Sequence, residues 1–443
     1  MSFEPQLRTA AWHGDAAIRL EFPSGWNITT HWPRTPAPLT DGQILERLEN
    51  PVGQPRIREL CKGKKRPVIL VDDVNRPTPA ARIIPSVLKE FSASGIPSSS
   101  VTIVIARGSH GAPASESMLL KVGQEAASSC RLTLHDPYRN TARIGRTSFG
   151  TPVHVNRDVL NSDFVMGISG VYPNNTAGFG GGVKLALGVL DIRVISQLHR
   201  KHKGAGWGAQ DGENNFRKDL DEIARMIGLQ TMITGHVDAN RELVRATSGD
   251  FRLYYKSEVA FAREAFRAPK PTGADVVISN AFPNDLSLTF VHMKGVYPLR
   301  HAHPEASRIV LGACSEGEGF HGVYPIVRMP LLHEQRDRLR RISLMTTGEM
   351  AKKIAGKLTR VFRPTRPEIS DPSVAGKTMA RKAKNPIWMY RTGVHRNGLP
   401  PTLRGMRILH NWDEILNRVR EEQGGRDNLN VVVYPCAPLQ VIE

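Results

Sequence analysis

The stretch PVILVDDVNRP, residues 67–77, decides the fold. Its first part is continuously apolar and rich in β-branched side chains, and Asp72, Asp73 and Arg76 follow directly. An apolar run without polar alternation is typical of a strand buried on both faces in a parallel sheet. Pro77 then ends the strand. The stretch predicts a central parallel strand with charged residues at its carboxyl end, where ligands bind in open α/β sheets.

The same pattern recurs along the chain. VTIVIARGSHG, residues 101–111, predicts a second buried strand, followed by a glycine turn and His110. Stretches of helical length separate most of the further apolar runs, which begin at Arg131, Asp163, Ala274, Arg308 and Asn430. This alternation predicts the α/β class. We expect two lobes, each a mainly parallel sheet flanked by helices, with an active-site cleft between the lobes.

The segment FRAPKPTGAD, residues 266–275, is rich in proline and glycine and precedes a new strand. Such segments are typical of domain boundaries. We therefore expect an N-terminal α/β domain over residues 1–269 and a C-terminal α/β domain over 270–415. The terminal segment 416–443 is expected to return to the N-terminal domain.

Composition excludes several protein classes. The chain has 443 residues, of which 40% are hydrophobic, and its apolar runs are far shorter than the roughly 20 residues of a membrane helix. The N-terminus does not resemble a secretory signal. The cysteines are widely spaced, which argues against a disulfide framework and a thiolate zinc site. We expect a cytoplasmic protein without a membrane partner.

The formal net charge is +18, and residues 336–385 hold fourteen Lys or Arg residues against four acidic ones. Charge of this kind favours anionic partners. Single-strand nucleic-acid binders interleave stacking aromatic residues with the charge, whereas Phe362 is the one aromatic residue here. The segment favours a solvated basic face, and a nucleic-acid-binding protein is the alternative.

The glycine-rich string GVYPNNTAGFGGGVKLALG, residues 170–188, places Gly180, Gly181 and Gly182 before a helix-like run. Bare backbone N–H groups and a helix N-terminus there could approach an anion closely, with Lys184 in the first turn. The string is neither a Walker loop nor a GxGxxG fingerprint. A tight turn is the alternative interpretation.

A helix is predicted to begin after Asp191, an N-capping residue. Its helical spacing puts His199 on the inward side together with Ile195 and Leu198. His199 and His202 could together ligate a metal, although two histidines at helical spacing are a weak signal. A hydrogen-bonded core histidine is the alternative.

In this order, the motifs resemble those of the nickel-dependent lactate racemase family, whose members bind a nickel pincer cofactor derived from a pyridinium nucleotide. DVNRP resembles the family's strand-end motif, GSH its glycine-threonine-histidine turn, and AGFGGGVK, ending at Lys184, its AGFSGG-x-K loop. The likeness covers most of residues 65–325 and is weaker outside them.

The resemblance assigns roles by position. Lys184 would join covalently to the nickel pincer nucleotide, beside Gly180, Gly181 and Gly182, and His199 would ligate the nickel. His110 would be the catalytic base, oriented by Asp73. Further expected site residues are Arg76 and Lys294 (in FVHMK) for the substrate carboxylate, Tyr172 for substrate binding, and Asn174 at a catalytic position.

Departures from the family pattern are equally informative. Asn174 stands where the family has a second catalytic histidine, and asparagine cannot take a proton at neutral pH. Phe290 and Val291 replace residues that offer polar groups to the substrate, so we expect a less polar pocket. His110 would then serve both substrate faces if the keto acid rotates, or another side chain would replace the second base, the candidates being Tyr172, His292, His303 and His321. A third possibility is that the enzyme acts in one direction on a larger, epimerisable substrate.

The expected function is a racemase or epimerase of a 2-hydroxy acid other than lactate. The resemblance implies reversible hydride transfer to the cofactor through a 2-keto acid. It also implies cofactor-synthesis proteins as partners, and an apo form if the protein is made without them; a homo-oligomer is a further option. The alternatives are the nucleic-acid-binding protein and a family member that has lost the cofactor.

Overall fold

A computed structural model gives the structure of residues 5–209, 214–324, 326, 385–393 and 398–443. Two mainly parallel sheets organise this part of the chain, as the α/β prediction required. The basic segment 336–385 lies outside the described residues except for its last position. Within the described ranges, no helix combines the length and the apolar character needed to cross a membrane.

The first sheet has six strands. Its spatial order is Leu243–Gly249, Leu229–Val237, Phe164–Gly170, Pro67–Asp72, Thr102–Ala106 and Arg131–Leu134. All neighbours are parallel except Leu243–Gly249, which runs antiparallel to Leu229–Val237. The strand in the opening motif therefore lies centrally.

Both faces of that central strand are covered. Val68 and Leu70 belong to one buried cluster, while Ile69 and Val71 belong to another on the opposite side. Complete burial of such side chains stabilises a fold by about 1.5–3 kcal/mol each. This packing explains why the sequence shows a continuous apolar run instead of an alternating one.

The second sheet has seven strands. Its spatial order is Thr402–Leu403, Met406–Leu409, Ile387–Arg391, Ser307–Gly312, Val276–Asn280, Asn430–Tyr434 and Asn27–Thr30. The Thr402–Leu403 hairpin strand is antiparallel to its neighbour, and the remaining pairs are parallel.

The return of residues 416–443 to the first domain remains a prediction, and their main strand lies between Val276–Asn280 and Asn27–Thr30. Asn430–Tyr434 lies inside the second sheet, because Val431 and Val433 pack into one core and Val432 into the core on the other face. Both strands of this segment pair with strands from before residue 270, Asn430–Tyr434 with Asn27–Thr30 and Val441–Ile442 with Arg267–Ala268. The boundary near residue 270 and the two-lobe division remain predictions.

Helices and short strands complete the described fold. The α-helices are Asp41–Glu49, Ile57–Leu60, Ala80–Ser92, Ser115–Val122, Gln124–Ser129, Arg157–Leu160, Ile192–Lys201, Asn215–Met226, Phe251–Ala265, Leu288–Phe290 and Trp412–Glu422. Short 3₁₀ helices span Ser98–Ser100, Gly182–Val189 and Pro298–His301, and a π-helical turn spans Val291–Gly295. The short strands are Gln6–Thr9, Ala16–Arg19, Thr141–Arg146, Pro152–Asn156, Pro173–Asn174, Gly178–Phe179, Arg267–Ala268 and Val441–Ile442.

The carboxyl ends of the two sheets meet. Loops that follow Thr102–Ala106 and Ser307–Gly312 are joined by two backbone hydrogen bonds, Gly111 N to Phe320 O at 2.9 Å and Gly322 N to Ser109 O at 2.7 Å. The loops after both sheets therefore face one another, and the cleft between them is where parallel-sheet proteins bind ligands.

Candidate active site

A cleft with an empty volume of about 1150 Å³ lies where these loops meet. Both sheets supply its walls. The residues expected from the sequence that line it are Asp73, Arg76, His110, Tyr172, Asn174, Gly180, Gly181, Lys184, His199 and Lys294. Side chains far apart in the sequence are thus brought to one cavity, and Lys184 and His199 share it.

His110 and Asp73 form a tight pair at the end of neighbouring strands. His110 Nδ1 lies 2.6 Å from Asp73 Oδ2, which also accepts a hydrogen bond from the Asn75 amide at 2.9 Å. Because the carboxylate can only accept, Nδ1 carries the proton and Nε2 keeps its lone pair. The pair has the geometry of a general base with an orienting carboxylate.

The surroundings of His110 and Asp73 keep the pair in the protonation state that can accept a proton. Burial lowers the pKa of His110 below its usual value, and the nearby charge of Asp73 opposes this shift only in part. Although burial raises the pKa of Asp73, the His110 ring and the Arg76 guanidinium outweigh burial and lower it overall. At neutral pH the pair is therefore a carboxylate beside a neutral imidazole, which can accept a proton.

Lys184 begins the turn that follows the glycine string, and its amine is close to other cations. Burial, followed by the charges of Arg76 and Arg217, lowers the pKa of Lys184 to about 7. An amine with this pKa is substantially unprotonated at neutral pH, whereas an ordinary lysine is not. Lys184 is therefore chemically suited to act as a nucleophile in the cleft.

His199 lies on the helix Ile192–Lys201, and Asp191 caps that helix by accepting from Arg193 N. His199 Nδ1 donates to the Ile195 carbonyl at 2.7 Å, so the lone pair is on Nε2. Burial, then the Lys184 charge, lowers the pKa of His199 to about 4, which keeps this nitrogen free of a proton. The ring is therefore prepared to donate its lone pair to a metal.

His202 does not share that position. It ends the same helix and lies 2.8 Å through Nε2 from Asp219, away from the residues lining the cleft. The idea of a two-histidine metal site is therefore wrong for this pair, and His202 fits the alternative of a core histidine. Among the described residues, no group of three or more His, Cys, Asp or Glu side chains is arranged to hold a metal ion.

Cations outnumber anions in the cleft. Arg76, Arg107, Lys184 and Lys294 line it, whereas the only carboxylates among its described lining residues are Asp72 and Asp73. Asp72 already accepts from the buried Lys121 at 2.6 Å. Burial, then the charges of Arg76 and Lys184, lowers the pKa of Lys294 well below its usual value. A bound anion would relieve this repulsion, so the cleft is suited to carboxylate or phosphate ligands.

Asn174 and Tyr172 have structural partners. Asn174 Oδ1 accepts from the backbone N–H groups of Thr176 and Ala177, both at 2.9 Å, in an Asx-type turn. The Tyr172 hydroxyl lies 3.1 Å from Thr78 Oγ1. Burial, then the Asp72 charge, raises the pKa of Tyr172 far above its usual value. Neither side chain can serve as a base at neutral pH.

The three glycines differ in their positions. Gly180 and Gly181 line the cleft, whereas Gly182 packs against Tyr255, whose ring lies 2.7 Å from a Cβ placed on it. Gly181 has a φ of 72°, and a Cβ there would lie 2.7 Å from the Gly170 carbonyl oxygen. This close approach explains why glycine is needed at Gly181.

FVHMK, residues 290–294, contributes to the wall of the cleft formed by the second sheet. Of its two apolar replacements, only Phe290 makes the cleft surface less polar. Phe290 lines the cleft and packs edge-on against His110 at 4.9 Å between ring centroids, and Met293 lies beside it. Val291, in contrast, packs into the core of the second sheet. Its replacement therefore does not alter the cleft surface directly.

Of the proposed substitutes for the second base, Tyr172 and His321 line the cleft. His303 is exposed on the second sheet's far loop, and His292 is buried outside the cleft lining. His321 lies beside His110, at 4.9 Å between ring centroids. Of these three histidines, His321 is the one that lines the cleft.

Other lining residues were missed by sequence reasoning, among them Asn284, Met293 and Tyr324. A weak signal existed for Tyr324, because GVYP occurs at residues 170–173, 295–298 and 322–325, although Tyr297 of the second copy is not among the lining residues. Tyr172 in the first copy also lines the cleft. No comparable sequence signal identifies Asn284, whose amide donates to the Asn75 carbonyl.

The chain is similar to proteins named lactate racemase. A family model described as the lactate racemase N-terminal domain matches residues 13–208. The lactate racemase of Thermoanaerobacterium thermosaccharolyticum is 28% identical over 297 residues, 65% of this chain and 69% of that protein. The Lactiplantibacillus plantarum lactate racemase is 25% identical over 296 residues, with the same coverage of 65% and 69%.

Solved structures show the same fold. The lactate racemase apoprotein from Thermoanaerobacterium thermosaccharolyticum gives a TM-score of 0.68 at 20% identity, over 99% of this chain and 100% of that chain. A Thermotoga maritima protein gives 0.54 at 13% identity, over 92% and 100%. The glycine string, Lys184 and the His110–Asp73 pair all lie inside residues 13–208, and this part of the chain is similar to the lactate racemase N-terminal domain.

Proposed function

We propose that the protein is a racemase or epimerase of a 2-hydroxy acid. The observation that carries this proposal is a neutral histidine base, His110 on Asp73, facing a cleft with an excess of cations. A 2-hydroxy acid offers both groups that such a site would bind, a carboxylate for the cations and a hydroxyl proton for the base. The two relatives named lactate racemase support the same class of reaction.

The residues fit the nickel pincer nucleotide that the family resemblance implies. Lys184 would hold it covalently, because its amine is unprotonated in part at neutral pH, and His199 would ligate nickel through the free Nε2. Gly180 and Gly181 leave room for a bulky group beside them. When bound, this cofactor supplies a reversible acceptor for the hydride on the substrate Cα.

The protein's own residues position the substrate and move its proton. Arg76 and Lys294 would hold the carboxylate through charge-assisted hydrogen bonds, each contributing about 1.5–3 kcal/mol. His110 Nε2 would take the hydroxyl proton, while Asp73 holds the ring's orientation and stabilises the imidazolium. The positive charge that lines the cleft would keep the 2-keto acid there until the proton returns.

We further propose that the substrate carries an apolar group larger than the methyl of lactate. Phe290, Met293, Leu187 and Ile195 line the cleft beside the charged residues. Apolar walls favour an apolar substituent, at about 25 cal/mol per Å² buried. The cytoplasmic location, the cofactor-synthesis partners and a homo-oligomer stay predictions.

Intact-mass and metal measurements on protein made together with cofactor-synthesis proteins test the function. We expect a mass increase, bound nickel, and racemisation of at least one acid from a panel of aliphatic, aromatic and sugar-derived 2-hydroxy acids. Lys184→Ala should lose all three, and His199→Ala should lose nickel and activity. Lys218→Ala, on an exposed helix position, is the matched control.

Unshifted mass and an absence of nickel in such protein would contradict the cofactor assignment and favour the family member without cofactor. Retention on nucleic acid that falls steeply with salt and is unaffected by Lys184→Ala would favour the nucleic-acid-binding alternative instead.

A further inference from the structure

Two histidines face the cleft from loops that are fastened to each other. The Ser109–Gly111 segment and the Phe320–Gly322 segment exchange two backbone hydrogen bonds, and this pairs His110 with His321 in antiparallel register. The ring centroids lie 4.9 Å apart, and both rings line the cleft. The two sheets thus each contribute one imidazole to a single fixed pair.

The hydrogen bonds give the two rings opposite roles. His321 Nδ1 accepts from the backbone N–H of Val323 at 3.2 Å and of Tyr324 at 3.1 Å. A backbone N–H can only donate, so Nδ1 is unprotonated and the ring proton is on Nε2. In His110 the Asp73 carboxylate fixes the opposite tautomer, with the lone pair on Nε2. One ring therefore offers an acceptor and the other a donor.

His321 also stays uncharged. It is only 6% exposed, and burial lowers its pKa well below the usual value, with further lowering by His110, His199, Arg76 and Lys184. A neutral imidazole that donates through Nε2 can polarise a carbonyl or stabilise an alkoxide, but it does not compete with His110 for the proton.

We propose that His321 is a catalytic residue whose Nε2–H donates a hydrogen bond to the 2-oxygen of the substrate, while that oxygen's proton passes to His110 Nε2. This inference rests on the proposed function. In the step, the O–H and Cα–H bonds break, and the carbon–oxygen double bond and the His110 N–H bond form. The nickel pincer nucleotide, which Lys184 and His199 would hold, would supply the acceptor for the hydride released from Cα, and His321 keeps its own proton throughout.

This arrangement accounts for Asn174. With the 2-oxygen held between the two rings, the proton taken by His110 can return from His110 to the same oxygen. No second base is then needed at position 174, where the side chain instead closes a turn. Inversion requires the rest of the 2-keto acid to turn about its carbon–oxygen axis, so that hydride returns to the other face.

Two substitutions separate a catalytic role from a structural one. In His321→Asn, the amide oxygen can replace Nδ1 as acceptor for the Val323 and Tyr324 N–H groups, but no donor reaches the position of Nε2. In His321→Gln, the longer amide can place a donor near that position but does not replace Nδ1. The exposed His303, whose Nδ1 accepts from Glu305 N at 3.3 Å, gives the matched control His303→Asn.

The first measurement is ligand binding by calorimetry to the cofactor-loaded enzyme, with loading verified by intact mass and nickel content. Phenylpyruvate is compared with 3-phenylpropionate, and pyruvate with propionate, since each pair differs in the 2-oxygen. The unsubstituted enzyme should prefer the 2-keto acids. His321→Asn should reduce this preference by about tenfold. It should not weaken the binding of propionate or 3-phenylpropionate, which lack the 2-oxygen, and His321→Gln should restore part of the preference.

The second measurement is steady-state racemisation of the best 2-hydroxy acid. His321→Asn should lower kcat by about 10²- to 10³-fold with a KM within a few-fold of the original, as expected for loss of one donor to a developing oxyanion. His321→Gln should recover part of kcat, and His303→Asn should change neither constant.

The outcomes distinguish this role from the proposed function itself. If the unsubstituted enzyme racemises its substrate and His321→Asn keeps both kcat and the 2-oxygen preference while His321→Gln loses them, His321 is only a loop anchor and the inference is overturned. If the unsubstituted loaded enzyme neither prefers 2-keto acids nor racemises any acid of the panel, the proposed function fails as well.

Discussion

Lys184 is held in surroundings that oppose its own charge, and this property can be measured without cofactor. With a pKa of about 7, its amine should become reactive through pH 7, in contrast to an ordinary lysine near ~10.4. We expect acetylation of the cofactor-free protein by an N-hydroxysuccinimide ester to reach half its maximal rate at Lys184 near pH 7. Peptide mass spectrometry across pH 5.5–9 would report this midpoint.

Arg76→Met is the matched variant for that experiment. The Arg76 charge is the largest contribution to the low pKa after burial, so its removal should move the Lys184 midpoint to higher pH. A midpoint above pH 9 in the unsubstituted protein would contradict the electrostatic argument.

The Asp73–His110 contact gives a second prediction at the same scale. Asp73→Asn removes the acceptor that fixes the proton on His110 Nδ1, and we expect kcat to fall by roughly 10²- to 10⁴-fold. Because Asp73 raises the pKa of His110 against the effect of burial, its loss should lower that pKa further. In a plot of kcat/KM against pH, the acidic limb should therefore move to lower pH. If the acidic limb does not move, the group whose protonation it reports is not His110.

The glycine string shows how a loop element is constrained by the strand beside it. Gly181→Ala should lower the free energy of unfolding by about 2–3 kcal/mol, because the new methyl group meets the Gly170 carbonyl as well as an unfavourable φ. Gly273→Ala is a close control, since its φ of 74° is similar but a Cβ there meets nothing within 4 Å. Urea denaturation should show a larger loss of stability for Gly181→Ala than for Gly273→Ala. Equal losses would show that the contact with the Gly170 carbonyl does not contribute.

The central strand carries a second element-scale test at Asp72. Its carboxylate accepts from Lys121 Nζ, Thr78 Oγ1 and Gly170 N, and Lys121 has no exposed surface. Asp72→Asn should therefore destabilise the fold by about 3–5 kcal/mol, because it leaves a buried ammonium without its counter-ion. Combination with Lys121→Met should recover part of that loss in a double-mutant cycle, whereas additive losses would show that the two groups are not coupled.

The sequence predicted the elements in which local pattern and function coincide. Asp73 and His110 follow apolar runs, and the carboxyl ends of parallel strands meet, so their proximity could be expected. The sequence does not show in the same way which side chains of FVHMK face the cleft and which face the core. Adjacent residues on a helical turn point in directions about 100° apart, and the π-helical turn Val291–Gly295 shifts them further, so that Phe290 faces the cleft and Val291 the core.

At the scale of the whole molecule, the site depends on long-range pairing that no local pattern specifies. The run ending at Tyr434 is compatible with any central strand, and only packing between two cores places it in the second sheet. His321 lies in a glycine-rich loop without periodicity, and its partner His110 comes from the other sheet. The sequence could therefore name His321 as a candidate without selecting it.

Because both sheets contribute residues to the cleft, protonation of the charged groups on its two walls should be coupled. Lys184 precedes the helix of one wall and Lys294 belongs to the other, and the charge of Lys184 contributes to the lowered pKa of Lys294. A bound carboxylate favours the charged form of both amines and should raise their pKa values. Binding of phenyllactate to the cofactor-free protein should therefore take up protons near neutral pH.

The sign of the pH dependence follows from this linkage. Between pH 6 and pH 8 the Lys184 amine loses its proton, so the affinity for phenyllactate should fall as pH rises, by at most about tenfold per pH unit for each proton taken up. Calorimetry in buffers of different ionisation enthalpy would measure the proton uptake directly. The double variant Lys184→Met, Lys294→Met should bind more weakly through Arg76 and lose the pH dependence. A flat affinity with no proton uptake in the unsubstituted protein would show that the two walls do not form one anion-binding site.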